Sequence, residues 1–138
     1  MSKEDLWNIL TAHKTLVPRR KRRHPEAAVQ SDIVAWLMTH GVLVGVTDAG
    51  LLNKMGLGMS SPLPAGWPDL TCCTPNGYFL AVECKSAKGK QDPEQVKIQA
   101  HIEARHGVYI LAHSLEELID ALRKEEKVNR FLGFDLDE

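Results

Sequence analysis

The stretch 66–95, GWPDLTCCTPNGYFLAVECKSAKGKQDPEQ, constrains this chain more than any other. Two runs, 69–73 and 78–82, flank Thr74-Pro75-Asn76-Gly77, and that turn signal between apolar runs predicts a β-hairpin. The second run, Tyr78-Phe79-Leu80-Ala81-Val82, is aromatic and apolar throughout and reads as a strand buried on both faces. Glu83 and Lys85 follow at its end. Side chains alternate along a strand, so Glu83 and Lys85 project from one face while Val82 and Cys84 project from the other. Charges in such a place are costly without a partner, which asks for a shared one such as a metal ion or a phosphate.

Register decides whether Asp69 joins them. A three-residue loop at 75–77, with Gly77 in the left-handed conformation, sets Asp69 opposite Glu83. A two-residue loop sets Leu70 there and turns Asp69 to the wrong face. The three-residue loop, or a bulge, is therefore expected. Two neighbouring carboxylates repel, and Mg²⁺ or Mn²⁺, which prefer oxygen ligands, relieve that repulsion. The backbone carbonyl of Cys84 is a further candidate ligand. Such an ion would acidify a water and stabilise charge developing on a phosphodiester. Lys85 would hold the attacking water or neutralise that charge, at a single exposed spot on the surface.

With Gly66, Pro68-Asp69-Leu70, Glu83-x-Lys85, Lys88-Gly89 and Gln95 in this order, the chain resembles the PD-(D/E)xK phosphodiesterase superfamily. Within it, the likeness is to the VRR-NUC (virus-type replication-repair nuclease) family, and an upstream helix carrying Glu26 and Gln30 fits the same pattern. The resemblance covers roughly residues 24–112. It implies an α/β fold with a restriction-endonuclease-like core, a mixed central sheet flanked by helices, and metal-dependent endonuclease activity on DNA. Asp69 and Glu83 would then bind Mg²⁺ or Mn²⁺, Glu26 would support the ion through water, Lys85 would act in catalysis and Gln95 would orient. Stand-alone members of this size look like phage or prophage enzymes that act as homodimers on branched DNA such as Holliday junctions. A non-catalytic DNA-binding module is the competing reading; an acid pair facing phosphate argues against it.

At 138 residues the chain suits one domain with a real core. No apolar run is long enough to span a membrane. The N-terminus is polar and acidic without a secretory signal, which points to the cytoplasm, that of a bacterial host if phage encoded. Cys72, Cys73 and Cys84 read as structural thiols, since no CxxC or paired histidine accompanies them. The net charge of −1 becomes −6 once the five positive charges of Arg19, Arg20, Lys21, Arg22 and Arg23 are set aside. One basic arm on an acidic body suggests a localised phosphate contact, with a solvated linker or a targeting signal as the plain alternatives. Residues 1–23 accordingly form an N-terminal helical and basic arm, and 24–138 the nuclease-like domain.

In chain order, 3–13 reads as a short helix. A second helix opens at Pro25 and closes at Gly41, with Val29, Ile33, Leu37 and Trp36 as its buried stripe. Glu26 and Gln30 share a face near its start, where an acid is also favoured simply by the helix dipole. After a strand at 42–46, the Gly-, Ser-, Met- and Pro-rich segment 48–65 is long for a compact domain and suits a DNA-contacting loop, with Asn53 and Lys54 as its polar contacts. Trp67 either stacks on a base or anchors the loop. Lys88 and Lys90 fall near the expected phosphate. Asp92-Pro93-Glu94-Gln95 is a strong helix start in which Gln95 also fits a capping box. That helix ends at Gly107, a strand fills 108–112, and Ser114-x-x-Glu117 caps a last helix through about Lys127, with Leu115, Leu118, Ile119 and Leu122 inward. His113 reads as a surface or packing histidine.

Overall fold

The structure, a computed structural model, describes residues 2–3, 25–47 and 63–132. The 3–13 helix (apart from Lys3), Arg19 to Arg23, Asn53, Lys54 and residues 133–138 lie outside the described residues. Helix α1 (Pro25–Thr39) begins on its proline and carries Glu26 in its first turn. Beyond it, Gly41 adopts φ +80 and its N–H donates to Met38 O (3.1 Å), while Val42 N–H donates to Leu37 O (3.0 Å). Those two bonds close the helix as a Schellman motif, which needs the left-handed residue that Gly41 supplies. Its fully buried residues are Ile33, Val34, Leu37 and Met38, with Val29 and Trp36 only partly covered. The buried stripe therefore includes two positions the simple three- and four-residue spacing omits, because the helix lies broadly against a sheet.

That sheet has four strands in the order β1-β2-β3-β4: β1 (Leu43–Val46), β2 (Leu70–Cys73), β3 (Phe79–Cys84) and β4 (Val108–Ala112). The first three pair antiparallel and β4 joins β3 in parallel. A parallel neighbour requires a crossover, supplied by α2 (Pro93–Ala104). One face of the sheet, including Val44, Leu70, Cys72, Leu80, Val82, Ile110 and Ala112, packs on α1 and on Leu118 and Leu122 of α3 (Leu115–Lys124). This is the core. The mixed sheet flanked by helices is the architecture the sequence predicts.

The hairpin has the expected three-residue loop. Thr74 N–H donates to Tyr78 O (2.9 Å), and Gly77, at φ +86, donates its N–H to Thr74 O (2.8 Å). β3 departs from expectation in extent: Phe79 is 37 % exposed, and the strand runs on through Glu83 to Cys84. Pairing with β4 up to Cys84↔Ala112 carries it that far.

α2 starts with a full capping box between Asp92 and Gln95. At its other end His106 (φ 67), not Gly107, takes the left-handed position. Gly107 N–H still completes the motif on Ile102 O (3.0 Å), and a Cβ on Gly107 would lie 2.7 Å from Ile102 Cγ2. The capping box expected for α3 is only half formed. Ser114 Oγ accepts from Glu117 N–H, but the Glu117 carboxylate goes to His113 instead. α3 also ends at Lys124, and a 3₁₀ turn (Asn129–Leu132) follows. Among the described residues no helix is long and apolar enough to cross a membrane.

Candidate metal centre

Opposite the core, the second face of the sheet carries the polar residues. The β2–β3 register pairs Leu70 with Val82, and one step further places Asp69 beside Glu83. Asp69 Oδ2 accepts a hydrogen bond from Cys84 N–H (2.9 Å), which holds its carboxylate over β3. The first turn of α1 brings Glu26 to the same point. Carboxylate oxygens of Glu26, Asp69 and Glu83 all lie within 4.8 Å of one another. Glu26, expected to support an ion through water, thus joins Asp69 and Glu83 in one cluster.

Glu83 is 1 % exposed, so the acids do not meet at an exposed spot; the strand has carried the glutamate inside. Its Oε2 is buried without a hydrogen-bond partner. Burial pushes its carboxyl up to about 9, helped by a hydrogen bond and the negative charge from Asp69, with Glu26 adding to the repulsion and Lys85 opposing it. All but the last of these effects disfavour a bare carboxylate here. A divalent cation would reverse the balance, occupying the orphan oxygen and neutralising the cluster.

The donor set selects the kind of ion. The thiols of Cys72 and Cys84 are on the core face, where burial raises both far above the ordinary thiol range, Cys72 to about 12. Oxygen donors alone suit a hard cation such as Mg²⁺ or Mn²⁺. Cys84 N–H points toward β2, and in an extended strand the carbonyl of the same residue points to the same side. That is the side where its carbonyl would have to lie to act as a ligand.

A polar relay pins the backbone before Asp69. Trp67 Nε1 donates to Thr71 Oγ1 (2.8 Å), which lies 3.0 Å from Thr47 Oγ1, which donates to Pro68 O (2.8 Å). Thr47 N–H also donates to Asp69 O (2.8 Å). Trp67 is therefore an anchor, packed edge-on to Phe79 with centroids 6.4 Å apart. Gly66 explains its own presence in the motif. At φ +83, a Cβ there would stand 2.4 Å from Glu94 C and O, so the loop before Asp69 closes directly onto the start of α2.

Other expected site residues are placed less tightly. Gln95 Oε1 accepts from Asp92 N–H (2.9 Å), the capping role. Gln30 is half-buried one turn along α1 from Glu26. Lys88 and Lys90 are exposed and line a cleft of ≈470 Å³ with Gln91, Leu111 and His113. Leu111 pairs with Glu83, so that cleft adjoins the acid cluster. Sequence reasoning passed over Thr47 and Thr71, single polar residues with no motif of their own, and read His113 only as a surface or packing residue.

A solved structure described as "VRR_NUC domain" superposes on this chain with a TM-score of 0.57 and 22 % identity, covering 74 % of this chain and 98 % of that one. The fold is that of a VRR_NUC domain. A second, described as "VRR_NUC domain protein", is 15 % identical with a TM-score of 0.43, covering 96 % of this chain and 91 % of that one. No family model and no curated protein matches the sequence. The VRR_NUC fold agrees with the resemblance carried by Pro68-Asp69, Glu83-x-Lys85 and Gln95.

Proposed function

We propose that this protein is a metal-dependent DNA endonuclease that hydrolyses phosphodiester bonds. The supporting observation is three carboxylates with oxygens within 4.8 Å of one another, one with a buried oxygen that has no hydrogen-bond partner, and a lysine two residues further along whose charge acts on it. Asp69 and Glu83 would hold Mg²⁺ or Mn²⁺, joined by Glu26 and the Cys84 carbonyl. The ion, when bound, lowers the pKa of water and offsets charge on the phosphodiester. Lys85 places an ammonium beside the acids, where it stabilises negative charge developing on the phosphate or holds the attacking water. Gln95 orients the substrate from the start of α2, and Gln30, Asn53, Lys54, Lys88, Lys90 and the run from Arg19 to Arg23 contact the DNA backbone. The family resemblance further supports action on branched DNA such as Holliday junctions, by a homodimer that presents two sites to opposed strands.

The test is to incubate the protein with linear, nicked, flap and four-way DNA in Mg²⁺, Mn²⁺ or EDTA. Cleavage is expected in metal and is lost in EDTA and in Asp69→Ala, while DNA binding persists. Metal-independent binding with no cutting of any substrate would overturn the enzyme reading and leave a binding module.

A further inference from the structure

His113 has both ring nitrogens committed. Nδ1 lies 2.9 and 3.2 Å from the two Glu117 carboxylate oxygens, and Nε2 lies 2.8 Å from Gly89 O. A carboxylate and a backbone carbonyl only accept. Neutral imidazole has one N–H to give, so both contacts are hydrogen bonds only when the ring is an imidazolium.

The far side of Gly89 matters for the reaction. A Cβ at Gly89 would lie 2.9 Å from Lys85 Cβ and 3.3 Å from Lys85 Cδ, so this glycine lies directly against the lysine's aliphatic stem. Gly89 N–H donates to Ser86 O (2.8 Å), folding the intervening turn tight. The Lys85 backbone is fixed from β4 as well, through its N–H on Ala112 O (3.0 Å), next to His113. A continuous set of contacts therefore runs from Glu117 on α3, through the His113 ring and Gly89, to Lys85.

We propose that His113, held by Glu117, is a positioning residue that fixes the Lys85 side chain through Gly89. This rests on the nuclease reading for the role of Lys85, though not for the clamp itself. The charged groups facing the ring are Glu117 from α3 and, from the loop, Lys88 and Lys90 in the shared cleft. The Glu117 carboxylate, and then the Gly89 carbonyl, raise the ring above its ordinary range against a small opposing effect of burial. The side chain keeps 27 % exposure, so solvent protons reach it. As pH rises through the His113 midpoint, one of the two bonds is lost, the 86–91 loop loosens, and Lys85 gains rotamers that misplace its ammonium.

The test uses Glu117→Gln, which keeps a carbonyl acceptor and removes the charge at a surface position. NMR of the imidazole nitrogens should show His113 doubly protonated at pH 6.5 in the wild type, with a lower midpoint in the variant. Amide exchange at Gly89 should quicken. In cleavage assays the alkaline limb of kcat should move down in pH with that midpoint. At a pH between the two imidazole midpoints, kcat should fall roughly tenfold, inside the ~100-fold cost of a 1 Å misplacement, with KM for DNA within about twofold. Glu117→Asp should restore most of it, and His113→Ala should lower kcat most below the wild-type midpoint, where both bonds are present. A neutral His113 at pH 6.5 in the wild type, an unmoved kcat profile, or a change confined to KM would overturn the clamp. If the wild type cuts no DNA, the nuclease reading falls separately, and the imidazole midpoint and Gly89 exchange still decide whether His113 is clamped.

Discussion

Replacing Glu83 with glutamine should make the metal-free protein more stable while removing its response to metal. At an effective dielectric of about 20, two unit charges 4.8 Å apart repel by roughly 3.5 kcal/mol. The wild type escapes part of this by keeping Glu83 protonated. Because the folded carboxyl is raised from 4.5 to about 9, its contribution to stability is fully present below pH 4.5 and is lost as pH climbs toward 9. Each pH unit in that window costs the folded state up to about 1.4 kcal/mol, which puts a ceiling of roughly 5 kcal/mol on the loss by pH 8.5. Glutamine carries no charge and its amide can donate to Asp69, although it must still satisfy a buried polar group. The expected gain is therefore about 2–4 kcal/mol at pH 8.5 in EDTA, shrinking to under ~0.5 kcal/mol at pH 5. Urea titrations read it directly: with a slope of about 2 kcal/mol/M, the midpoint should rise by roughly 1–2 M at pH 8.5. Adding Mn²⁺ should raise the wild-type midpoint and leave Glu83→Gln unmoved. A variant no more stable than wild type at pH 8.5, or one whose gain is the same at both pH values, would refute the carboxylate-repulsion account.

Three further substitutions probe the scaffold. His106→Gly should raise the melting temperature by about 2–4 °C, because glycine adopts the left-handed position at the end of α2 without the side-chain penalty His106 carries. Gly66→Ala should cost roughly 3 kcal/mol or more in chemical denaturation, since a methyl group meets the Glu94 peptide in a conformation already unfavourable for an L-residue; a near-neutral result would mean the loop does not seat against α2. Thr71→Val keeps the shape but breaks the relay from Trp67 to Pro68, and should cost about 1–3 kcal/mol by the same measurement.

Much of this protein was legible from residue order. The loop at 75–77 fixes the hairpin register, and a period of two along the strand then dictates that Asp69 and Glu83 share a face. The start of α2 at Asp92-Pro93, with its capping box, was equally readable, because caps are made by residues three apart in sequence. Contacts between distant segments were not readable. Whether Glu26 was a solvated first-turn acid or a member of the cluster depended on where the end of α1 lands relative to β2 and β3. The burial of Glu83 depended on how far β4 extends the strand. Even the local capping signal at Ser114-x-x-Glu117 was only half honoured, because the Glu117 carboxylate has a second partner four residues back in the His113 ring at the end of β4. Local propensity and alternation act over a few residues and are written in the chain. Electrostatics and packing between segments arise only once the sheet and helices have brought them together, and those are what turn three separate acids into one cluster.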